Sequence, residues 1–326
     1  MKTKLTVTIS VYYKTKEEWL RKALDTILSQ TFTNYEVVIV NDGADARVRD
    51  IVFSYKDRVS VDYGENLDAK IRYFETEKAF GSTAQARNVG LRHAQGEYIH
   101  FHDHDDFFIY RNGNQYVFEN IFKEISDEDV FIFNFIHSNH KYSNCPKFSV
   151  IDMKNGLTEQ NIADFANFSY FKTFSSWNKF FKTSFLKDNN LYFNEDLVVG
   201  EDIDHNFRFL FLTAKIKFTD EVYYFYRPVA GSVSSGANPY YCYSAQCAKY
   251  VVKTLKEHGV YEKLRIYFIK FFLKLLEAFT IKTVYEIEDG ISAKRYVRQY
   301  VEEFNITKED VKLLSDKEKE LLFWII

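Results

Sequence analysis

GEYIHFHDHDDFF occupies residues 96–108. A glycine leads into a β-branched and aromatic run, which gives way to an acidic turn. That is the pattern of a buried strand with a polar carboxyl end. From His100 to Asp106 it holds three histidines and three aspartates within seven residues. A metal site, an acid/base cluster and a polar surface turn would each account for them.

The flanking sequence narrows the choice. STAQARNVGLRHAQG (82–96) reads as a helix opened by Ser82 or Thr83 and closed near Gly96. Upstream, LTVTISVYY (5–13) reads as a strand and KEEWLRKALDTILSQ (16–30) as a helix with Trp19, Leu20, Ala23, Leu24, Ile27 and Leu28 on one side. YEVVIVND (35–42) is a buried strand, 46–55 a second helix, and KIRYFE (70–75) a third strand. With EYIHFHD (97–103) as the fourth, strand–helix alternation predicts right-handed crossovers and a parallel, doubly wound sheet. Such sheets hold ligands at the carboxyl ends of their strands. Asn41, Asp42 and Asp103–Asp106 all fall there.

DVFIFNFIH (129–137) and VYYFYR (222–227) read as later strands, and GEDIDHNFRFLFLTA (200–214) as a helix. From residue 238 the chain reads as helical, over 238–257, 261–287, 291–304 and 307–323. Residues 249–274 carry seven Lys/Arg against two acidic residues, with many Phe and Leu. Such a helix lies on an anionic membrane or packs on its own domain or a twin subunit. The apolar tail LLFWII reads as docked or as an interface.

Composition excludes several classes. The 326 residues are 46% hydrophobic and 18% aromatic, with three prolines, so the chain is not disordered. A net charge of −3 gives no reason to bind nucleic acid. Cys145, Cys242 and Cys247 form no zinc-type pair and read as reduced thiols. The N-terminus lacks a cleavage-site pattern, and no apolar run is long enough to span a bilayer. The expectation is a cytoplasmic protein, free or peripheral at the inner face of the cell membrane.

Asp103, Asp105 and Asp106 form D-x-D-D. Carboxylate oxygens suit Mg²⁺ or Mn²⁺, and an ion held by one or two carboxylates leaves positions for a nucleotide diphosphate. On spacing alone the motif is equally a solvated acidic turn. His100, His102 and His104 alternate, so in a strand they share a face. They read as packing residues ahead of a zinc or iron set, because phosphate chemistry asks for oxygen ligands.

Four stretches, in order, carry a resemblance: EEWLRKALDTILSQTFTNYEVVIVNDG (17–43), GSTAQARNVGLRHAQGEYIHFHDHDD (81–106), SSWNKFFKTSFLKDNNLYFNEDLVVGEDIDHNFRFL (175–210) and YYFYRPVAGSVS (223–234). The region 5–235 resembles family 2 glycosyltransferases of the GT-A fold. The resemblance implies a Rossmann-like mixed α/β sheet flanked by helices, with a C-terminal α-helical extension. It implies a catalytic domain over 1–237, with a nucleotide-sugar half to about 106 and an acceptor half over 107–237. The helical region follows at 238–326. It implies inverting transfer from a nucleotide-sugar, UDP-linked, with Mn²⁺ or Mg²⁺. The implied acceptor is a glycan or lipid-linked glycan of a bacterial surface polysaccharide such as capsule or lipopolysaccharide. Membrane contact through the C-terminal helices and a homodimer stay open.

By the same resemblance, Asp42 contacts the nucleotide base, Tyr13 lines the base pocket and Arg87 lies near the nucleotide. Asp103 serves ribose or metal, and Asp105 is the principal metal ligand. Asp202 is the general base with Glu201 beside it, and Trp177 lies on the acceptor side. Arg227, Ser232 and Ser234 belong to a loop over the diphosphate. Inverting transfer needs only one base if a cation and an arginine absorb the leaving group's charge. Read without the resemblance, Glu201 and Asp202 are first-turn acids that favour a helix N-terminus. Two departures stand out: Tyr12-Tyr13-Lys14 replaces the family's frequent Pro-Thr-Tyr, and His104 replaces a usually small residue. Two rivals remain: an HD-type metal phosphohydrolase, suggested by His102–Asp103, and a non-catalytic relative that binds glycan.

Overall fold

The computed structural model describes residues 2–109, 116–137, 151–152, 175–212, 215–229, 239–278, 286–287 and 290–326. In chain order the elements are β1 (Leu5–Tyr12), α1 (Glu17–Leu28), β2 (Tyr35–Asp42), α2 (Ala46–Phe53), β3 (Val61–Tyr63), β4 (Ile71–Glu75), α3 (Thr83–His93), β5 (Tyr98–Asp103) and β6 (Phe107–Phe108). Then come α4 (Val117–Glu124), β7 (Val130–His137), β8 (Ile151–Asp152), β9 (Lys179–Lys182), α5 (Thr183–Asp188), α6 (Glu201–Phe211) and β10 (Lys215–Tyr226). Helices α7 (Cys247–Glu257), α8 (Tyr261–Ala278), α9 (Ala293–Val301), α10 (Lys308–Lys312) and α11 (Asp316–Ile325) end the chain.

Among the described residues one sheet takes the order β3-β4-β2-β1-β5-β9-β7-β10-β6, with β8 paired to β10. From β3 to β5 every pairing is parallel. β9 then enters antiparallel to both β5 and β7. The sheet is therefore mixed, as the resemblance implied, and strand alternation alone had predicted only its parallel half. β9 escaped notice because four residues, Lys-Phe-Phe-Lys, show too little period to read. β10 starts at Lys215, ahead of the expected 222, because Thr219–Glu221 interrupts its apolar pattern and shifts its register against β7.

Both faces of β1 are covered. Leu5, Val7, Ile9 and Val11 face the cluster with α1 and α2 residues. Thr6 and Thr8 face α3, which comes close because Gly90 has no side chain. A Cβ there would stand 2.0 Å from Thr8 Oγ1. This approach puts Arg87, one turn earlier, level with the carboxyl end of β5.

The other cluster runs from α3 and β5 through α6 to the last helix. Phe268 of α8 packs on Phe207 of α6 at 4.6 Å between rings. Phe268, Phe271 and Phe272 are buried there, so this apolar face of α8 is spent inside the protein. Among the described residues no helix is long and apolar enough to cross a membrane. The expected helix over 307–323 is two helices, each opened by its own capping box, Thr307 with Asp310 and Ser315 with Glu318.

Candidate active site

The centre of the site is Arg87. It lies on the buried side of α3 and donates from one guanidinium nitrogen to Glu201 Oε1 at 2.8 Å. From the other it donates to Asp103 Oδ1 at 3.1 Å. Thr83, one helical turn earlier, donates to the same Glu201 oxygen at 2.7 Å. Asn88 holds the incoming chain by accepting from Phe193 N–H at 2.8 Å and donating to its carbonyl at 2.9 Å. Burial opposes the charge on Arg87, but Asp103, Glu201 and Asp202 together raise its pKa and hold it protonated.

Asp202 opens α6. The preceding Gly200 takes a left-handed φ of 88° that favours glycine. Asp202 Oδ1 accepts from Ile203 N–H at 2.9 Å. Burial pushes its carboxyl up to about 7, reinforced by the charge of Glu201 and opposed by Arg87. A carboxylate with this affinity for a proton is suited to take one from a hydroxyl near neutral pH.

At the end of β5, Asp103 N–H donates to Tyr224 Oη at 3.3 Å, and Asp106 N–H closes the turn on Asp103 O at 3.2 Å. Arg227 fastens the turn to β10: its N–H donates to Asp106 Oδ1 at 2.7 Å and its Nε to the Asp105 carbonyl at 2.7 Å. Burial pushes Asp105 up, opposed by His104 and then Arg227 and reinforced by the charge of Asp103. Asp106 is pushed up further by burial and by both neighbouring aspartates. Its Oδ2 is buried without a protein partner.

These residues fit a hard divalent ion. Among the described residues no group of three or more His, Cys, Asp and Glu stands ready for a metal. An ion bound with a nucleotide needs only one or two carboxylates. Asp103, one oxygen of which accepts from Arg87, and Asp105 could offer two oxygen-only ligands, and a cation would relieve the charge that burial disfavours on Asp105.

The histidines separate. His100 and His102 face inward among Phe108, Phe133, Phe180 and Tyr224. Their rings bridge Lys179 O to Asp106 O through a 3.3 Å contact between them. Burial lowers His100 to about 4 and His102 well below its usual range, so both are neutral. They are packing residues, as expected, and His102 does not pair with Asp103 in the manner of the HD rival. His104 lies past the strand end, beside the Tyr12 ring at 5.4 Å, and does not share their face.

Other expected residues scatter. Tyr13 is 60% exposed, its ring edge-on to Tyr12 at 5.6 Å. Asp42 accepts from Phe80 N–H at 3.0 Å and Thr76 Oγ1 at 3.1 Å, holding the loop after β4 over the β2 end. Trp177 is buried and stacks on Tyr224 and Tyr226, each at 5.1 Å, which leaves it behind the acidic turn as packing. Ser232 and Ser234 lie outside the described residues. The sequence reading missed Tyr224, Thr83 and Asn88. The spacing of Thr83 and Arg87, one helical turn, was the available signal.

The model of glycosyl transferase family 2 matches residues 6–188, more than half of the chain. The chain belongs to glycosyl transferase family 2. The match carries β1 to β5, the acidic turn and Arg87, and stops short of Glu201 and Asp202. Among this family 2 chain's relatives, the glycosyltransferase GlyA of Streptococcus pneumoniae serotype 4 is 28% identical over 71% of this chain and 31% of its own length. The glycosyltransferase EpsJ of Bacillus subtilis is 25% identical over 70% of this chain and 62% of its own. The chain thus spans less than two thirds of either relative. The structure of S. aureus TarS 1-349 in complex with UDP superposes with a TM-score of 0.66 at 19% identity, covering 99% of this chain and 86% of that one. The mannosyltransferase PcManGT of Pyrobaculum calidifontis, in complex with GDP-Man and Mn²⁺, gives 0.50 at 16%, covering 99% and 79%. The family 2 chain shares their GT-A fold.

Proposed function

We propose that the chain is an inverting glycosyltransferase. It moves a sugar from a nucleotide diphosphate, UDP-linked, to a hydroxyl of a glycan or lipid-linked glycan in bacterial surface polysaccharide synthesis. The observation that carries this reading is Arg87 joining the acidic end of β5 to Glu201, next to a carboxylate raised to about 7. The UDP bound by TarS and the GDP-Man with Mn²⁺ bound by PcManGT support the donor class. Functionally we divide the chain into a catalytic part over 1–237 and a helical region over 238–326.

Asp202 takes the proton of the acceptor hydroxyl as its oxygen attacks the anomeric carbon. A new C–O bond forms on one face while the bond to the diphosphate breaks on the other, which inverts the centre. Asp103 and Asp105 would hold Mn²⁺ or Mg²⁺, which when bound neutralises charge on the departing diphosphate. Arg87 fixes Asp103 in place and keeps Glu201 beside Asp202. Tyr13 and Asp42 line the base end, and Arg227 ties the turn to β10. Asp202→Asn tests the reading: UDP affinity holds while turnover of a UDP-sugar falls by several orders of magnitude. Near-normal turnover would give the base role to another residue.

A further inference from the structure

The flank of the acidic turn away from Arg87 and Asp202 carries its own pattern. Lys16 and Trp19 lie at the start of α1, Lys22 one turn on, Phe107 on β6 and Arg227 at the end of β10. Lys16 Nζ stands 4.1 Å from the Trp19 ring centre, and the Arg227 guanidinium 5.3 Å from the same ring. Arg227 also stands 5.6 Å from Phe107, whose ring Lys22 Nζ approaches at 5.2 Å. Three cations thus alternate with two rings in one ladder, and Phe225 stacks against Phe107 at 4.6 Å. Lys16 and Lys22 are exposed, while Trp19, Phe107 and Arg227 are half-buried.

None of the three cations forms an ion pair among the described residues, whereas Glu17 of the same turn is taken by Arg21 at 2.8 Å. Neighbouring cations share a ring, which keeps them within roughly one screening length, about 10 Å at 0.1 M salt. Arg227 is partly offset by the Asp105 carboxylate, but Lys16 and Lys22 have no such partner among the described residues, and like charges this close repel. Each ring contact returns only about 0.5–1 kcal/mol at such exposure, which holds the side chains in place without neutralising them. An anion seated on the ladder removes the repulsion.

The donor's diphosphate is assigned above to a cation at Asp103 and Asp105, whereas Arg227, which the resemblance set over that diphosphate, turns Nε to the Asp105 carbonyl and approaches the Trp19 and Phe107 rings. We propose that Lys16, Trp19, Lys22, Phe107 and Arg227 form an anion subsite that takes a phosphate group of the acceptor. The acceptor is then a phosphate-bearing glycan or alcohol. This inference rests on the transferase reading, since a chain without transfer activity has no acceptor.

The test uses the full chain, pre-saturated with UDP and Mg²⁺, and calorimetric titration of glycerol 3-phosphate, with glycerol as the uncharged control. The wild type binds glycerol 3-phosphate and not glycerol. The double variant Lys16→Gln/Lys22→Gln, on an exposed helix face, binds it at least fivefold more weakly, with UDP affinity unchanged within twofold. Three results overturn the proposal: equal glycerol 3-phosphate affinity in both proteins, no binding in either, or a parallel loss of UDP affinity that returns the cations to the donor. A fourth does so too: binding to phosphatidylglycerol vesicles that the variant loses, without any glycerol 3-phosphate binding, makes the ladder a membrane contact. UDP binding with Mg²⁺ in the wild type is read in the same experiment. Its absence would count against the transferase reading itself.

Discussion

Arg87 and Glu201, 114 positions apart in sequence, meet in a 2.8 Å ion pair where α3 faces the start of α6. Both side chains are nearly closed to solvent, at 8% and 10% exposure. Breaking a buried pair from one side leaves the other charge uncompensated, at about 3–5 kcal/mol. Arg87→Met should therefore lower unfolding free energy by about that amount in urea titration. A loss below about 1 kcal/mol, the worth of an exposed pair, would mean that water reaches Glu201.

Asp202 should leave two marks on pH dependence. As a base it works deprotonated, so kcat/KM should fall as pH drops through about 7. Its effect on stability has the opposite sense to the usual surface aspartate. A raised folded-state pKa means the folded protein holds the proton longer than the unfolded chain. The resulting penalty is absent below the ordinary carboxylate range, grows as pH rises and is complete above about 7. Asp202→Asn should thus raise Tm at pH 8 relative to wild type and leave it nearly unchanged at pH 4. An equal shift at both values would remove the buried carboxylate from the explanation.

The packing of α8 predicts that the C-terminal helices cannot be removed cleanly. Phe268 is fully buried against Phe207 of the helix that carries Asp202. Phe268→Ala should cost about 3–5 kcal/mol, read from denaturant melts. A cost within about 0.5 kcal/mol, typical of surface sites, would show that α8 is not seated on α6.

Gly90 tests the seating of α3. Alanine normally gains about 1 kcal/mol over glycine inside a helix. Here its Cβ would stand 2.0 Å from Thr8 Oγ1 and 2.9 Å from Thr8 Cβ. The clash should win, so Gly90→Ala should destabilise by about 1–3 kcal/mol and weaken UDP binding by displacing Arg87. A more stable variant would contradict the close approach.

Much of this arrangement was legible beforehand, for reasons that differ by element. β1, β2 and β5 are apolar runs ending in polar residues, and α3 has a cap, a period and a stop, so the local signals agree. That agreement placed Asp42 and Asp103 at one edge, and the resemblance added Arg87. β9 was not legible, because its identity comes from fitting between β5 and β7. The resemblance put Trp177 on the acceptor side, and its burial against the stacked Tyr224 and Tyr226, a tertiary fact, makes it packing instead. Glu201 and Asp202 read equally well as first-turn acids, and their meeting with Arg87 is a tertiary fact.

The central claim is that Asp103 and Asp105 grip a divalent ion that carries the donor's diphosphate. Calorimetric titration of UDP into wild type and Asp105→Asn, each with Mn²⁺ and with EDTA, tests it most directly. The account predicts that Mn²⁺ strengthens UDP binding to the wild type at least tenfold, with no such gain in the variant. Equal gain in both proteins, or none in the wild type, would contradict it.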